Sequence, residues 1–227
     1  MECYFESRDE ASKAAAERIA AALTHRLDSQ EAASLVVSGG TSPVQCFAHL
    51  SQLDIEWDRI SVLASDDRWV APDHEDSNEK LIRDRLLVGR AAAAHLLPFY
   101  APGTSVEDRV AALNDDIRFA PIPFACAMLG MGADGHFASL FPDAENLGEG
   151  LDLEATALYL PVRSSASPYA RISLTLAALS RSDEIVLLFF GDEKRAVYER
   201  ARSGDRQLPV TRLLRQKRAP VTIYWAP

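Results

Sequence analysis

Short apolar runs alternate along the chain with longer segments whose apolar positions recur at helical spacing. This alternation is the sequence form of repeated βα units on a largely parallel sheet. Strands are expected at Leu35–Val37, Ile60–Ala64, Leu96–Phe99, Phe124–Leu129, Leu158–Val162, Ile185–Phe190 and Val221–Trp225. Several are almost uninterrupted in apolar character, which suits strands buried on both faces. Toward the N-terminus, Ala16, Ile19, Ala20, Leu23 and Leu27 fall on one helical stripe, while Glu17, Arg18 and Arg26 turn to water. A second amphipathic helix is expected from Thr104, whose hydroxyl forms a capping box with Glu107 ahead of a buried stripe of Val106, Val110, Leu113 and Ile117. The pattern predicts an α/β fold, a mostly parallel sheet with helices on both faces, as a single domain over residues 1–227. The acidic stretch Asp143–Glu154 reads as a surface loop within that domain rather than a boundary.

Composition narrows the classes of partner. With 227 residues, 48% of them hydrophobic, the chain can bury one sizeable core. Its 24 basic and 33 acidic residues give a net charge of -9, which repels nucleic acid and anionic membrane surfaces, so neither is an expected partner. A small anion stays possible, because a few cations and backbone N–H groups outweigh the global sign at short range. Cys3, Cys46 and Cys126 form no CxxC pair, so neither a disulfide framework nor a thiolate metal site is expected, and a reducing cytoplasm fits best. The start MECYFESRDE has acids where a signal peptide needs basic and then apolar residues, and the aliphatic run Ile185–Phe190 falls short of a membrane span. Export or insertion is therefore not expected. The sequence leaves the oligomeric state open, a monomer included.

In open parallel sheets, ligands bind beyond the carboxyl ends of the strands, so the residues that follow each strand carry the candidate chemistry. After Val37 comes SGGTSP, in which Ser38, Gly39, Gly40 and Thr41 precede a helix N-terminus. Glycines allow close backbone approach, and the free N–H groups and helix dipole favour a phosphate, although a plain βα turn uses the same residues. After Ala64, Asp66, Asp67 and Arg68 lie close to the strand end, and Ser77 or Asn78 caps the next helix. Arg68 is placed either to grip an oxyanion or to form a surface ion pair, and Asp67 is a further candidate contact. After Leu129, the run GMGADGHFASLFPDA holds Asp134 and His136 among Gly130, Gly132 and Gly135. His136 is the natural general base, with Asp134 to orient it, and Gly132 belongs to the candidate site. After Phe190 come Gly191, Asp192 as a possible cap and Lys194 in the helix's first turn. A lysine placed where the dipole disfavours it makes sense beside a bound anion, or else points to solvent.

Other chemistries lack their signals. There is no G-x-S-x-G elbow, no Walker A sequence and no dinucleotide fingerprint, and Ser139 near His136 does not make a serine nucleophile. His74 lies among Asp67, Asp73, Glu75 and Asp76, but their spacing defines no metal site.

The segments SGGTSP, DDRWV followed by DSN, LGMGADGHFASLFP, RISLTLAAL and GDEK occur in an order that resembles the 6-phosphogluconolactonase family across most of the chain. The resemblance implies a Rossmann-like fold, shared with glucosamine-6-phosphate deaminases, and hydrolysis of 6-phosphoglucono-1,5-lactone in the pentose phosphate pathway, with no cofactor. It implies that His136 is the catalytic histidine and Asp134 its acidic neighbour, with substrate contacts at Gly39, Gly40, Thr41, Arg68, Arg171 and Lys194. Arg171 is a candidate through the resemblance alone. The chain departs from the family pattern in three places: Asp67 stands where the family usually has glutamate, Phe137 where it has threonine, and the C-terminus ends YWAP without an acid. Rival readings are a glucosamine-6-phosphate deaminase, opposed by DDR and GHFASLFP in place of DEY and GHIAFNEP, and a non-catalytic phosphosugar sensor, opposed by the presence of both Asp134 and His136.

Overall fold

The computed structural model describes residues 1–227, the side chain of Ile117 excepted. In chain order the elements are β1 (Glu2–Tyr4), α1 (Arg8–Leu27), β2 (Ala33–Val37), α2 (Pro43–Leu50), β3 (Ile60–Ala64), β4 (Asp66–Arg68), α3 (Asn78–Arg85), β5 (His95–Leu96) and α4 (Val106–Asp115). They continue with β6 (Cys126–Leu129), α5 (Leu147–Gly150), β7 (Tyr159–Val162), β8 (Arg171–Leu174), α6 (Leu176–Leu179), β9 (Ile185–Phe190), α7 (Asp192–Ser203), α8 (Val210–Arg215) and β10 (Val221–Ala226).

Seven strands form one sheet in the order β1-β10-β9-β6-β2-β3-β5, with every neighbouring pair parallel. β2 and β6 are buried at every position and β9 at all but its last, so layers cover both faces of the sheet. α1 supplies part of one layer, packing on α2 and lying over β10, β9, β6 and β2. Its start is fixed by a capping box, in which Ser7 Oγ accepts from Glu10 N–H at 3.2 Å and the Glu10 carboxylate accepts from Ser7 N–H at 3.2 Å. The expected stripe holds, with Ala16, Ile19, Leu23 and Leu27 buried and Ala20 at its margin. One apolar cluster extends from Ala11 to Ala226 and encloses Phe47, Trp57, Phe124 and Phe189. No helix among the described residues is long and apolar enough to cross a membrane.

Three local expectations are corrected. The strand expected at Leu96–Phe99 ends at Leu96, because Pro98 has no N–H for the ladder; the carbonyls of Pro98 and Phe99 instead accept from the Arg109 guanidinium at 3.0 and 2.8 Å. The cap of α4 is Ser105 rather than Thr104: Ser105 Oγ accepts from Asp108 N–H at 3.1 Å, while the Thr104 hydroxyl donates back to the Ala101 carbonyl. Val106, Val110 and Leu113 form its buried stripe, and the Ile117 side chain lies outside the described residues. Asp192 is the first helical residue of α7 and not its cap, a place taken by Gly191 in a positive-φ conformation without a side-chain bond.

A small antiparallel sheet, β4-β8-β7, stands apart from the main one. Its β7 matches the strand expected at Leu158–Val162, but β4, β8 and their antiparallel pairing were not expected from the sequence. Along the chain, β3 and β5 extend the main sheet on one side of β2, whereas β6, β9 and β10 extend it on the other. The order therefore reverses between β2 and β6, and the crevice beyond their carboxyl ends is where an open α/β sheet binds ligands.

Candidate active site

A cavity of about 240 Å³ opens at that crevice. The turn after β2 forms one wall with Ser38, Gly39, Gly40, Thr41 and Ser42. Ser38 N–H is held by the Met128 carbonyl of β6 at 3.0 Å, while its hydroxyl is buried without a protein partner among the described residues. Gly39 has no room for a side chain, because a Cβ there would overlap the Asn78 amide. Ser42 precedes α2 without capping it, and Pro43 follows at the first helical position. Among the described residues, the first-turn N–H groups of α2 thus have no side-chain acceptor, an arrangement that suits an anion.

β4 and β8 supply a second wall. Strand alternation turns Asp66 and Arg68 toward the cavity and Asp67 away from it. Arg68 Nη1 donates to Asn78 Oδ1 at 2.7 Å and to the Asp76 carbonyl at 3.1 Å, and no carboxylate pairs with it among the described residues. Asp67, expected among the substrate contacts, lies outside the cavity lining. Its carboxylate accepts from the N–H groups of Arg68, Asn78 and Glu79 at 2.7–2.9 Å and from the Ser77 hydroxyl at 3.1 Å, bracing the start of α3. Burial pushes this carboxyl up to about 6, against the pull of those N–H groups.

Arg171 does line the cavity, in register with Arg68 across the β4–β8 pair. Like charges directly opposite one another are unfavourable. Here Asp66 relieves the conflict by accepting from Arg171 Nη2 at 3.2 Å, a pair in which both side chains are more than nine-tenths buried. Burial acts to raise the Asp66 carboxyl, but the Arg171 charge and the hydroxyls of Ser139 and Ser65 together hold it below its ordinary value.

The segment after β6 forms the third wall. His136 Nδ1 meets Asp134 Oδ1 at 2.6 Å, and Nε2 has no protein partner among the described residues. Asp134 also accepts from His136 N–H at 3.2 Å, so one carboxylate fixes both backbone and ring. Burial acts to raise Asp134, but its bonds to His136 and the imidazole's charge carry it below the usual carboxylate value. Gly132 leaves the space that imidazole and carboxylate occupy, Phe141 packs against the imidazole at 4.4 Å between centroids, and the fully buried Phe137 closes the floor. Lys194, in the first turn of α7, reaches the same cavity, and burial, aided by the charge of Arg8, lowers its ammonium from the usual lysine value.

Ser38, Gly39, Gly40, Thr41, Arg68, Gly132, His136, Arg171 and Lys194 are therefore brought together, with Asp134 behind the imidazole. Asp66, Asn78 and Ser139 were missed as members of the arrangement. The place of Asp66 follows only once β4 is known to be a strand, and Ser139 and Asn78 had no signal short of tertiary contacts.

A family model described as glucosamine-6-phosphate isomerases/6-phosphogluconolactonase matches residues 6–225. A protein named 6-phosphogluconolactonase from Caulobacter vibrioides is 38% identical over 98% of this chain and 95% of its own length. A second, from Mesorhizobium japonicum, is 36% identical over 98% and 94%. The crystal structure of a 6-phosphogluconolactonase from Shewanella baltica superposes with a TM-score of 0.95 at 32% identity, covering 100% of this chain and 97% of that one. A monomeric glucosamine-6-phosphate deaminase shares the fold, with a TM-score of 0.73 at 15% identity over 98% and 96% of the two chains. With its parallel sheet, its switch-point cavity and these relatives along nearly its whole length, the chain belongs to the glucosamine-6-phosphate isomerase/6-phosphogluconolactonase family.

Proposed function

We propose that this chain is a 6-phosphogluconolactonase, hydrolysing 6-phospho-D-glucono-1,5-lactone to 6-phosphogluconate as a step of the pentose phosphate pathway in the cytoplasm. The observation that carries the reading is the oriented imidazole: Asp134 engages Nδ1 and leaves Nε2 open beside two cations, Arg68 and Lys194, that lack carboxylate partners among the described residues. Two unpaired positive groups match the charge of a phosphate dianion, and the N-terminus of α2 adds N–H donors. Held by that end, the substrate presents its ring ester to His136. Nε2 takes a proton from water as the oxygen attacks the lactone carbonyl; the tetrahedral adduct collapses, the ring C–O bond breaks and its oxygen takes that proton back from Nε2, which restores the neutral imidazole. A lactone is an activated ester, so positioning together with general-base help of about 10² to 10⁴ is sufficient without a covalent intermediate.

The test is a coupled assay on freshly prepared lactone, corrected for spontaneous hydrolysis. Native protein is expected to exceed the background rate, and His136→Ala to lose about 10²-fold or more of that excess while its thermal unfolding stays near native. Retained turnover in the variant would reject His136 as the base, and native protein at the background rate would favour a phosphosugar sensor.

A further inference from the structure

We infer that Ser139 is a positioning residue that sets the span between the His136 imidazole and the Arg171 guanidinium. The inference rests on the proposed lactonase reading. Ser139 lies three residues beyond His136 on the same turn and is fully buried. Its hydroxyl donates to Asp66 Oδ2 at 2.5 Å and accepts from Arg171 Nε at 2.6 Å, and its N–H donates to Ser173 Oγ on β8 at 3.1 Å. One side chain thereby ties the turn carrying the base to the strand pair carrying both arginines. With Ser139 on Nε, Ser167 on Nη1 and Asp66 on Nη2, three of the five N–H donors of Arg171 are committed, and the guanidinium plane is fixed.

The backbone agrees. Ala138, between His136 and Ser139, has φ +48, a left-handed conformation rarely adopted by a residue with a side chain. Such strain persists only where surrounding contacts over-determine it, and the bonds of Ser139 to two different strands supply that constraint. Phe141 reinforces the tie, with its ring 4.4 Å from that of His136 and 5.3 Å from Arg171 Cζ. Ser139 does not serve as a nucleophile, since its proton is committed to Asp66 and its oxygen to Arg171.

The test is a double-mutant cycle of Ser139→Ala, Arg171→Lys and the double variant, with kcat and KM measured on the lactone and the Kd for inorganic phosphate measured by calorimetry. Lysine keeps the charge but has no Nε–H for Ser139 to fix. Ser139→Ala is expected to lower kcat/KM by about 10-fold, mostly in kcat, in the native background and by less than about 2-fold when residue 171 is lysine. Phosphate binding should weaken with the same non-additivity. Equal losses in both backgrounds, or native kcat and KM in Ser139→Ala, would overturn the inference. If Ser139→Ala does not fold, Ser139→Cys, which keeps a weak donor, takes its place in the cycle. If native protein shows no lactone turnover, the proposed function fails, and the coupling in phosphate binding alone decides the role of Ser139.

Discussion

At Gly132 a Cβ would stand where the imidazole of His136 and the carboxylate of Asp134 now meet, so the close approach of base and acid depends on a missing side chain. That approach determines which ring nitrogen is open. Asp134 accepts the proton of Nδ1 and leaves Nε2 to act as base; an amide in its place can present its NH₂ group to Nδ1, which favours the tautomer with the proton on Nε2. Asp134→Asn is therefore expected to retain its melting temperature and substrate KM but lose about 10² to 10⁴ in kcat, measured on fresh lactone. A rise in KM with kcat unchanged would show that Asp134 contacts the substrate and does not orient the ring. His136 and Asp134 were legible in the sequence because glycine spacing around an acid and a histidine has local meaning. The choice between Asp66 and Asp67 was not. Adjacent acids look alike until a strand period assigns one to the cavity and its neighbour to the helix behind, as β4 does.

Asp67 braces α3 by accepting from N–H groups in its first turn, so Asp67→Asn sets an NH₂ group against N–H donors and should cost about 1–3 kcal/mol in urea unfolding at pH 4. Its folded value of about 6 lies above the unfolded value of about 3.9, so the folded chain holds this proton more tightly. Ionising Asp67 then costs native stability progressively as pH rises between those values. Asparagine does not titrate, so the deficit of the variant should narrow from pH 4 to pH 7; a widening deficit would contradict the assigned direction. The main sheet was largely legible because buried parallel strands are apolar runs, as at Ile185–Phe190. In the second sheet only β7 was legible, since Asp66–Arg68 has the composition of a charged loop and Arg171–Leu174 merges with the apolar segment that begins α6. Their strand character comes from pairing with each other, and Pro98 shortened β5 by the opposite effect.

Over the whole molecule, the net charge of -9 opposes the approach of a dianion, yet Arg68 and Lys194 line the cavity without a salt-bridged carboxylate among the described residues. At physiological ionic strength, exposed charges beyond about 8 Å are largely screened, so the near groups determine affinity. Lys194 makes this measurable. Burial and Arg8 lower its ammonium, with Glu193 and Asp134 pulling the other way, so the free protein releases this proton below the usual lysine value of about 10.4. A bound phosphate favours the ammonium, hence binding raises the pKa of Lys194 and takes up a proton on the alkaline side. The affinity for 6-phosphogluconate should be highest where Lys194 is charged in the free protein and fall as pH rises through its lowered value. The ligand's phosphate, with its second ionisation near pH ~6, is already dianionic there and adds no slope. Calorimetric titrations from pH 7 to 10 should show this limb in native protein and a flat profile in Lys194→Arg, whose guanidinium stays charged throughout. In Lys194→Met the limb should vanish and affinity at neutral pH should fall by about 10-fold or more, as expected when a charge-assisted contact is lost. An unchanged limb in Lys194→Met would remove this lysine from the anion site and leave Arg68 and the α2 N-terminus to hold the dianion alone.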